Sequence, residues 1–261
     1  MESIHYHFTQ IASKYGDLRT TDEEPILFIR ELLEDRPVIR AADIGCGVGR
    51  YVVRFFHHFG NRLYLACIDS NECMLDTLRS NLTSGRIRNF SVIRARAGAI
   101  PLPSDSLDCV MTFNAVHHFR LMDFLEESSR VLVPGGFLVI YTRLRSQNRK
   151  NIWGRYFPGF SEKEKRLYEL DELKSAIKKV KPLKLRSIEF FRFNRTATLE
   201  ELLRRAANHH YSTFHLYEER EFAEALEGFE RNVLRTVENP GEVFWRDLNV
   251  MLVMRRVKPQ A

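Results

Sequence analysis

The sequence predicts an open α/β sheet, mostly parallel, that finishes with an antiparallel pair. Three observations carry this. Between Val38 and Arg143, short apolar runs alternate with helix-like stretches, the pattern of crossover units whose strands are buried on both faces. Three glycines, Gly45, Gly47 and Gly49, fall within five residues where a strand gives way to a helix. The last third holds two strand-like segments, 183–194 and 242–257, with helical text inserted around them.

The first 35 residues read as two helical pieces, 5–15 and 20–36. The second has Thr21 or Asp22 as N-cap, Pro25 in its first turn and Pro37 as breaker. A strand over 38–45 precedes a helix over 50–60 that Gly60 closes. A strand over 62–69 leads to a helix that Asn71 caps and Gly85 ends. Residues 90–95 and 107–115 read as strands, 122–132 as a helix, and 136–143 as a strand after the turn Pro134-Gly135-Gly136. Beyond Arg143 the rhythm changes. Residues 146–160 are rich in aromatic and polar residues without a regular period, whereas 161–181, 198–210 and 217–237 read as helices. Right-handed crossovers between the parallel strands then fix most of the strand order.

At 261 residues, with 44% hydrophobic and 28% charged side chains, the chain can bury a sizeable core and reads as globular. The reading is one domain over 1–261: an N-terminal helical lid (1–36), a core (37–143), and a variable region (144–261) that carries the last strands. No apolar run approaches the roughly 18–20 residues of a membrane span. The opening lacks a basic segment followed by an apolar one, so no secretory signal and a cytoplasmic location are expected. Cys46, Cys67, Cys73 and Cys109 show no CxxC pairing; buried free thiols are expected, and no metal centre. The net charge of +6 is uneven. Residues 143–192 hold fifteen Lys or Arg against six acids, which leaves the remainder of the chain at −3.

Glycines at the end of a first strand let the backbone approach a ligand with no side chain in the way. The helix that follows aims its free N–H groups at the same place. In an open α/β sheet that place is the carboxyl end of the strands. Dinucleotide enzymes use GxGxxG; here the spacing is GxGxG behind Asp43 and Ile44, which sets a nicotinamide-dependent oxidoreductase aside. Asp69 closes the second strand twenty residues after Gly49, where a carboxylate can accept from both hydroxyls of a ribose.

Four segments, "ADIGCGVGRY", "ACIDSNECML", "AGAIPLPSDSLDCVMTFNAVHHF" and "RVLVPGGFLVIYTR", occur in this order. Together they resemble the successive signatures of the class I S-adenosylmethionine-dependent methyltransferases, in the branch containing the ubiquinone/menaquinone and malonyl-carrier-protein enzymes. The resemblance covers roughly residues 10–143; beyond that only the pattern of strands and helices matches. It implies a Rossmann-like, seven-stranded, doubly wound sheet, mostly parallel with a C-terminal antiparallel strand, plus extra helices at the N-terminus and between the last strands. It also implies S-adenosyl-L-methionine as cofactor, with S-adenosyl-L-homocysteine as product.

By the same resemblance, the loop of Gly45, Cys46, Gly47 and Gly49 passes under the methionine portion of the cofactor, with Asp43 beside it. Asp69 holds the ribose hydroxyls, Ser70 and Met74 line the adenine, and Asn114 borders cofactor and acceptor. Tyr15 and Arg19, in "YGDLR", resemble a substrate-side lid that touches the cofactor carboxylate or the acceptor; a surface helix end is the plain alternative. The third signature departs from the family. Arg96 stands where an adenine-binding Asp belongs, and arginine carries only donors. Adenine is then left to the backbone at Ala97 and Gly98, or to stacking on Arg96. Weak cofactor binding or a catalytically silent homologue is the alternative.

Methyl transfer from a sulfonium is an in-line displacement in which the protein chiefly holds the reacting atoms in line, so the chemistry marks the sequence faintly. His117 or His118, after the fourth strand, is a candidate base near neutral pH, with Tyr15 a further catalytic candidate. Packing under the sheet and capping the next helix are the plain alternatives for the two histidines. Trp153, Tyr156, Phe157 and Phe160 are candidates for an aromatic wall over a small acceptor, or for packing the extra helices. Arg143, Arg145, Arg149, Lys150 and Arg155, interleaved with aromatics, read alternatively as an RNA track. Against that, the later lysines alternate with acids as on a solvated helix face. A small-molecule acceptor is expected, with RNA as the competing partner.

Overall fold

The computed structural model describes residues 21–258. Its first half alternates α1 (Glu24–Leu32), β1 (Ile39–Ile44), α2 (Arg50–Phe59), β2 (Leu63–Asp69), α3 (Glu72–Ser84), β3 (Phe90–Arg94), β4 (Leu107–Phe113), α4 (Leu121–Val131) and β5 (Leu132–Thr142). Four helices follow, α5 (Arg145–Asn148), α6 (Ile152–Tyr156), α7 (Phe160–Lys163) and α8 (Leu170–Lys179). The long strand β6 (Leu183–Ala197), α9 (Leu199–Ala207), α10 (Glu219–Thr236) and β7 (Val243–Arg256) complete the order. The seven strands lie as β3-β2-β1-β4-β5-β7-β6. The first five are parallel, and β7 runs antiparallel between β5 and β6. All seven expected strands are present, and the extra helices sit between β5 and β6 and between β6 and β7.

Strand alternation divides the core between the two faces of the sheet. Ala41, Leu65, Cys109, Val139 and Val253 face one side, where Ile26 and Ile29 of α1, Phe55 of α2 and Leu75 of α3 cover them. Ala42, Ile68, Val110, Ile140 and Leu252 face the other, under Phe124 of α4 and Leu173 of α8. A third cluster lies apart from both. It gathers Trp153, Phe157 and Phe160 with Leu202, Phe214, Phe229 and Val233. This accessory core holds α6, α7, α9 and α10 together over the C-terminal end of the chain's own sheet.

Local signals explain most boundaries. Asn71 caps α3 by accepting the Met74 N–H at 3.1 Å, and Gly85 ends that helix. Three expectations are corrected. Glu23, not Thr21 or Asp22, is the N-cap residue of α1, because the Asp22 carboxylate turns to the Arg195 guanidinium at 2.6 Å. The continuous helix expected over 161–181 is broken into α7 and α8, because Glu164 between them turns inward and is buried. Cys67 and Cys109 are buried free thiols and Cys46 is half-buried, but Cys73 is exposed on α3. The helix expected over 5–15, with Tyr15 and Arg19, lies outside the described residues. Among the described residues, no helix is long and apolar enough to cross a membrane and no cluster has the makings of a metal site.

Candidate active site

The strand order reverses between β1 and β4, so the loops that leave their carboxyl ends part and open a crevice. A cavity of about 1290 Å³ begins there and extends toward β6 and β7. The loop after β1 forms its floor. Gly45 and Cys46 donate backbone N–H groups to the Ile68 carbonyl at 2.7 and 3.2 Å, which ties the loop to β2. Gly47 then donates to Asp69 Oδ2 at 2.9 Å, while Asp69 Oδ1 accepts the Asn71 N–H at 2.9 Å. Asp69 thus links the glycine loop to the start of α3.

The three glycines serve different ends. A Cβ built on Gly47 meets nothing within 4 Å, so its bare face borders open space. One on Gly45 meets Ala115 Cβ at 2.6 Å and the Phe119 ring at 2.8 Å. Gly49 faces Leu78 Cδ1 at 2.1 Å and does not line the cavity, so its place in the expected cofactor loop is corrected to a packing role against α3.

Asp43 lies at the back of the cavity, 2% exposed, and its Oδ1 has no hydrogen-bond partner. Burial, with the Asp69 charge nearby, pushes its carboxyl well above the ordinary range. Gly45, Cys46, Gly47, Asp69, Ser70 and Met74 line the same space, as do Ala97, Gly98, Asn114, His117 and His118. Arg96 also lines it and is exposed. The His117 and His118 rings stand 4.0 Å apart at the wall after β4. Of the described cofactor-loop, ribose, adenine and histidine candidates, the structure places all but Gly49 along this one cavity.

The far end of the cavity was not legible beforehand. Arg143, Asp247 and Arg195 form a chain of ion pairs there. Arg143 Nη2 donates to Asp247 Oδ1 at 2.8 Å, Arg195 Nε to Asp247 Oδ2 at 3.2 Å, and Arg195 Nη2 to Asp22. Glu164 accepts from Arg166 through both oxygens and from Thr213 Oγ1 at 2.6 Å. One signal for this end was present: Asp247 and Asn249 are polar at i and i+2 of β7, just before the apolar run 250–254, so they share a face.

Two expectations about the region after β5 change here. Phe157 and Phe160 are buried in the accessory core and do not line the cavity, whereas Trp153 belongs to both. Tyr156 is half-buried against the same core. The basic residues do not form one exposed track either. Arg143 is buried in the cavity and Arg145 pairs with Glu172, while Arg149, Lys150 and Arg155 are exposed.

A parallel sheet that reverses at β1 and β4, with a glycine floor and a carboxylate at the tip of β2, is an arrangement that this chain shares with the class I S-adenosylmethionine-dependent methyltransferases, to which it is similar. Residues 42–140 match the methyltransferase domain family. Over 179 residues, 66% of this chain, it is 30% identical to mouse (Mus musculus) tRNA (carboxymethyluridine(34)-5-O)-methyltransferase ALKBH8. Over 112 residues, 42% of this chain, it is 30% identical to the ubiquinone/menaquinone biosynthesis C-methyltransferase UbiE of Shewanella frigidimarina. The chain spans 24% of the length of the first and 45% of the second. Geranyl diphosphate C-methyltransferase from Streptomyces coelicolor shares the fold, with a TM-score of 0.53 at 16% identity over 88% of this chain and 79% of that one.

Proposed function

We propose that this chain transfers the methyl group of S-adenosylmethionine to a small organic acceptor. The residues present suit the cofactor on two counts. The face of Gly47 borders free space that a side chain there would fill, and Asp43 Oδ1 is a buried acceptor lacking a donor. When bound, S-adenosylmethionine supplies a methyl group activated by a positively charged sulfur. Asp69 would accept from the ribose hydroxyls, Asp43 from the ammonium, and Ala97 and Gly98 would offer backbone groups to the adenine in place of the missing acid. Ser70 and Met74 would flank the ring, and Asn114 would border both reactants. His117 or His118 would take a proton at a ring nitrogen where the acceptor carries an N–H or O–H. In this reading residues 37–143 hold the cofactor, and the chain beyond them shapes the acceptor side of one domain.

The observation that carries the small-molecule reading is the recessed far end of the cavity. Arg143, Trp153 and Glu164 line it and are all buried. A polymer needs an open face, and the residues suited to one are dispersed. The test is thermal melting of the protein with S-adenosylhomocysteine and, separately, with NAD. The first should raise the midpoint and the second should not; the reverse overturns the reading. A tRNA acceptor is the second reading, favoured by the match to ALKBH8 that extends well past the cofactor-binding part. Retention on tRNA that falls steeply between about 50 and 200 mM salt would support it.

A further inference from the structure

The polar groups at the far end of the cavity are unevenly matched. A guanidinium carries five N–H donors and no acceptor. Arg143 directs Nη1 to Tyr211 Oη at 3.2 Å and Nη2 to Asp247, but its buried Nε finds no acceptor. Arg166 directs Nε and Nη2 to Glu164, with Nη2 also 3.2 Å from Ser212 Oγ, and its buried Nη1 finds none. The acceptors are meanwhile occupied: Glu164 is held by Arg166 and Thr213, and each Asp247 oxygen takes one arginine. One acceptor, Asn249 Oδ1, is left over, and rotation of that amide lets the Tyr141 hydroxyl donate to it. Among the described residues, donors are in surplus at this end.

Burying ion pairs costs free energy that apolar packing would avoid. Arg143, Arg166 and Arg195 are nonetheless sequestered, their side chains 10%, 20% and 18% exposed. Their acids hold each fork in a fixed orientation, the preorganisation that planar recognition of an oxyanion needs. Among the described residues no lysine lines the cavity. Trp153 and the Tyr211 ring, 5.7 Å from the Arg143 guanidinium carbon, add apolar surface beside the donors.

We propose that this end of the cavity is an oxyanion-binding subsite built on Arg143, Arg166 and Arg195, and that the acceptor is a small organic molecule bearing a carboxylate or a phosphate. This rests on the small-molecule reading above and names its substrate class. The recess of the three arginines excludes a polymer backbone and suits a compact anion with an aromatic or aliphatic body.

Calorimetric titration of the full chain, saturated with S-adenosylhomocysteine, tests this with benzoate, phenyl phosphate and benzamide as matched probes. At least one oxyanion should bind about tenfold more tightly than benzamide; preference for benzoate marks a carboxylate, and preference for phenyl phosphate a phosphate. Arg143→Lys keeps the charge and loses the fork. It should weaken the favoured probe about tenfold and leave the affinity for S-adenosylhomocysteine unchanged. Should that variant fail to fold, Arg166→Lys gives the same readout. Equal binding of the three probes, binding of none, or an unaltered preference in both variants overturns the subsite. Failure of the unmodified protein to bind S-adenosylhomocysteine overturns the underlying reading instead.

Discussion

The backbone N–H of Gly47 donates to Asp69 Oδ2 at 2.9 Å, so the floor of the cavity and the tip of the second strand are one hydrogen-bonded unit. The other oxygen of Asp69 holds Asn71, the residue that caps α3. One carboxylate therefore positions two elements at this end of the cavity.

Asp69→Ala strands two backbone donors and removes the acceptor proposed for the ribose. S-Adenosylhomocysteine binding should weaken by about 1–3 kcal/mol, the cost of leaving polar partners unpaired. Isothermal titration measures this directly, and a loss of only a few tenths would contradict the assignment.

Gly47 and Gly49 should separate in their effects. Gly47 has φ +54 and open space at its Cβ position, so Gly47→Val places bulk in the proposed cofactor cradle and strains the turn. Binding should be lost, at a stability cost of about 1–2 kcal/mol. Gly49→Ala drives a methyl into Leu78, so it should chiefly lower the melting temperature. Chemical denaturation beside ligand titration distinguishes the two.

The buried Asp43 carboxyl predicts a pH effect on the ligand-free protein. Burial holds its folded value well above the ordinary 3.8 of an aspartate, so the folded state keeps a proton that the unfolded state releases. Stability from this group therefore falls as pH rises from near 3.8 through the raised folded value. Asp43→Asn should flatten that decline and raise the midpoint at pH about 8 by roughly 2–4 °C, the shift expected per kcal/mol in a chain of this size. It should also weaken S-adenosylhomocysteine binding, because the charge partner proposed for the ammonium is gone.

His215 acts in the opposite sense. Burial, reinforced by the neighbouring His209, lowers it to about 4 from 6.5. The unfolded chain gains a proton there before the folded chain does, so stability is lost as pH falls from 6.5 toward 4. In His215→Gln the slope of melting temperature against pH over that window should be shallower. An unchanged slope would remove His215 from the account.

Much of the glycine-loop end of the cavity was legible because its signals are local in sequence. The glycine spacing, the acid closing the second strand and the Asn71 cap each depend on a few adjacent residues. Gly49 was misread because spacing does not say which way a Cα faces; only the packing of α3 places Leu78 against it. The aromatic run after Arg143 was ambiguous for a related reason. Trp153, Phe157 and Phe160 have the same composition as a ligand wall, and contact with Phe214 and Phe229, far along the chain, assigns them mainly to a core.

The sequence alone determined the alternating architecture, the placement of the glycine loop and the resemblance to one class of protein, because strand period, helix caps and turn chemistry are properties of neighbouring residues. Tertiary structure alone decided the far end of the cavity. Arg143, Asp247 and Arg195 meet only because β7 enters antiparallel between β5 and β6. Asp22 reaches Arg195 across 173 positions of sequence. Ion pairs of that span carry no local periodicity; they exist because the sheet, once folded, leaves buried charges that must find partners.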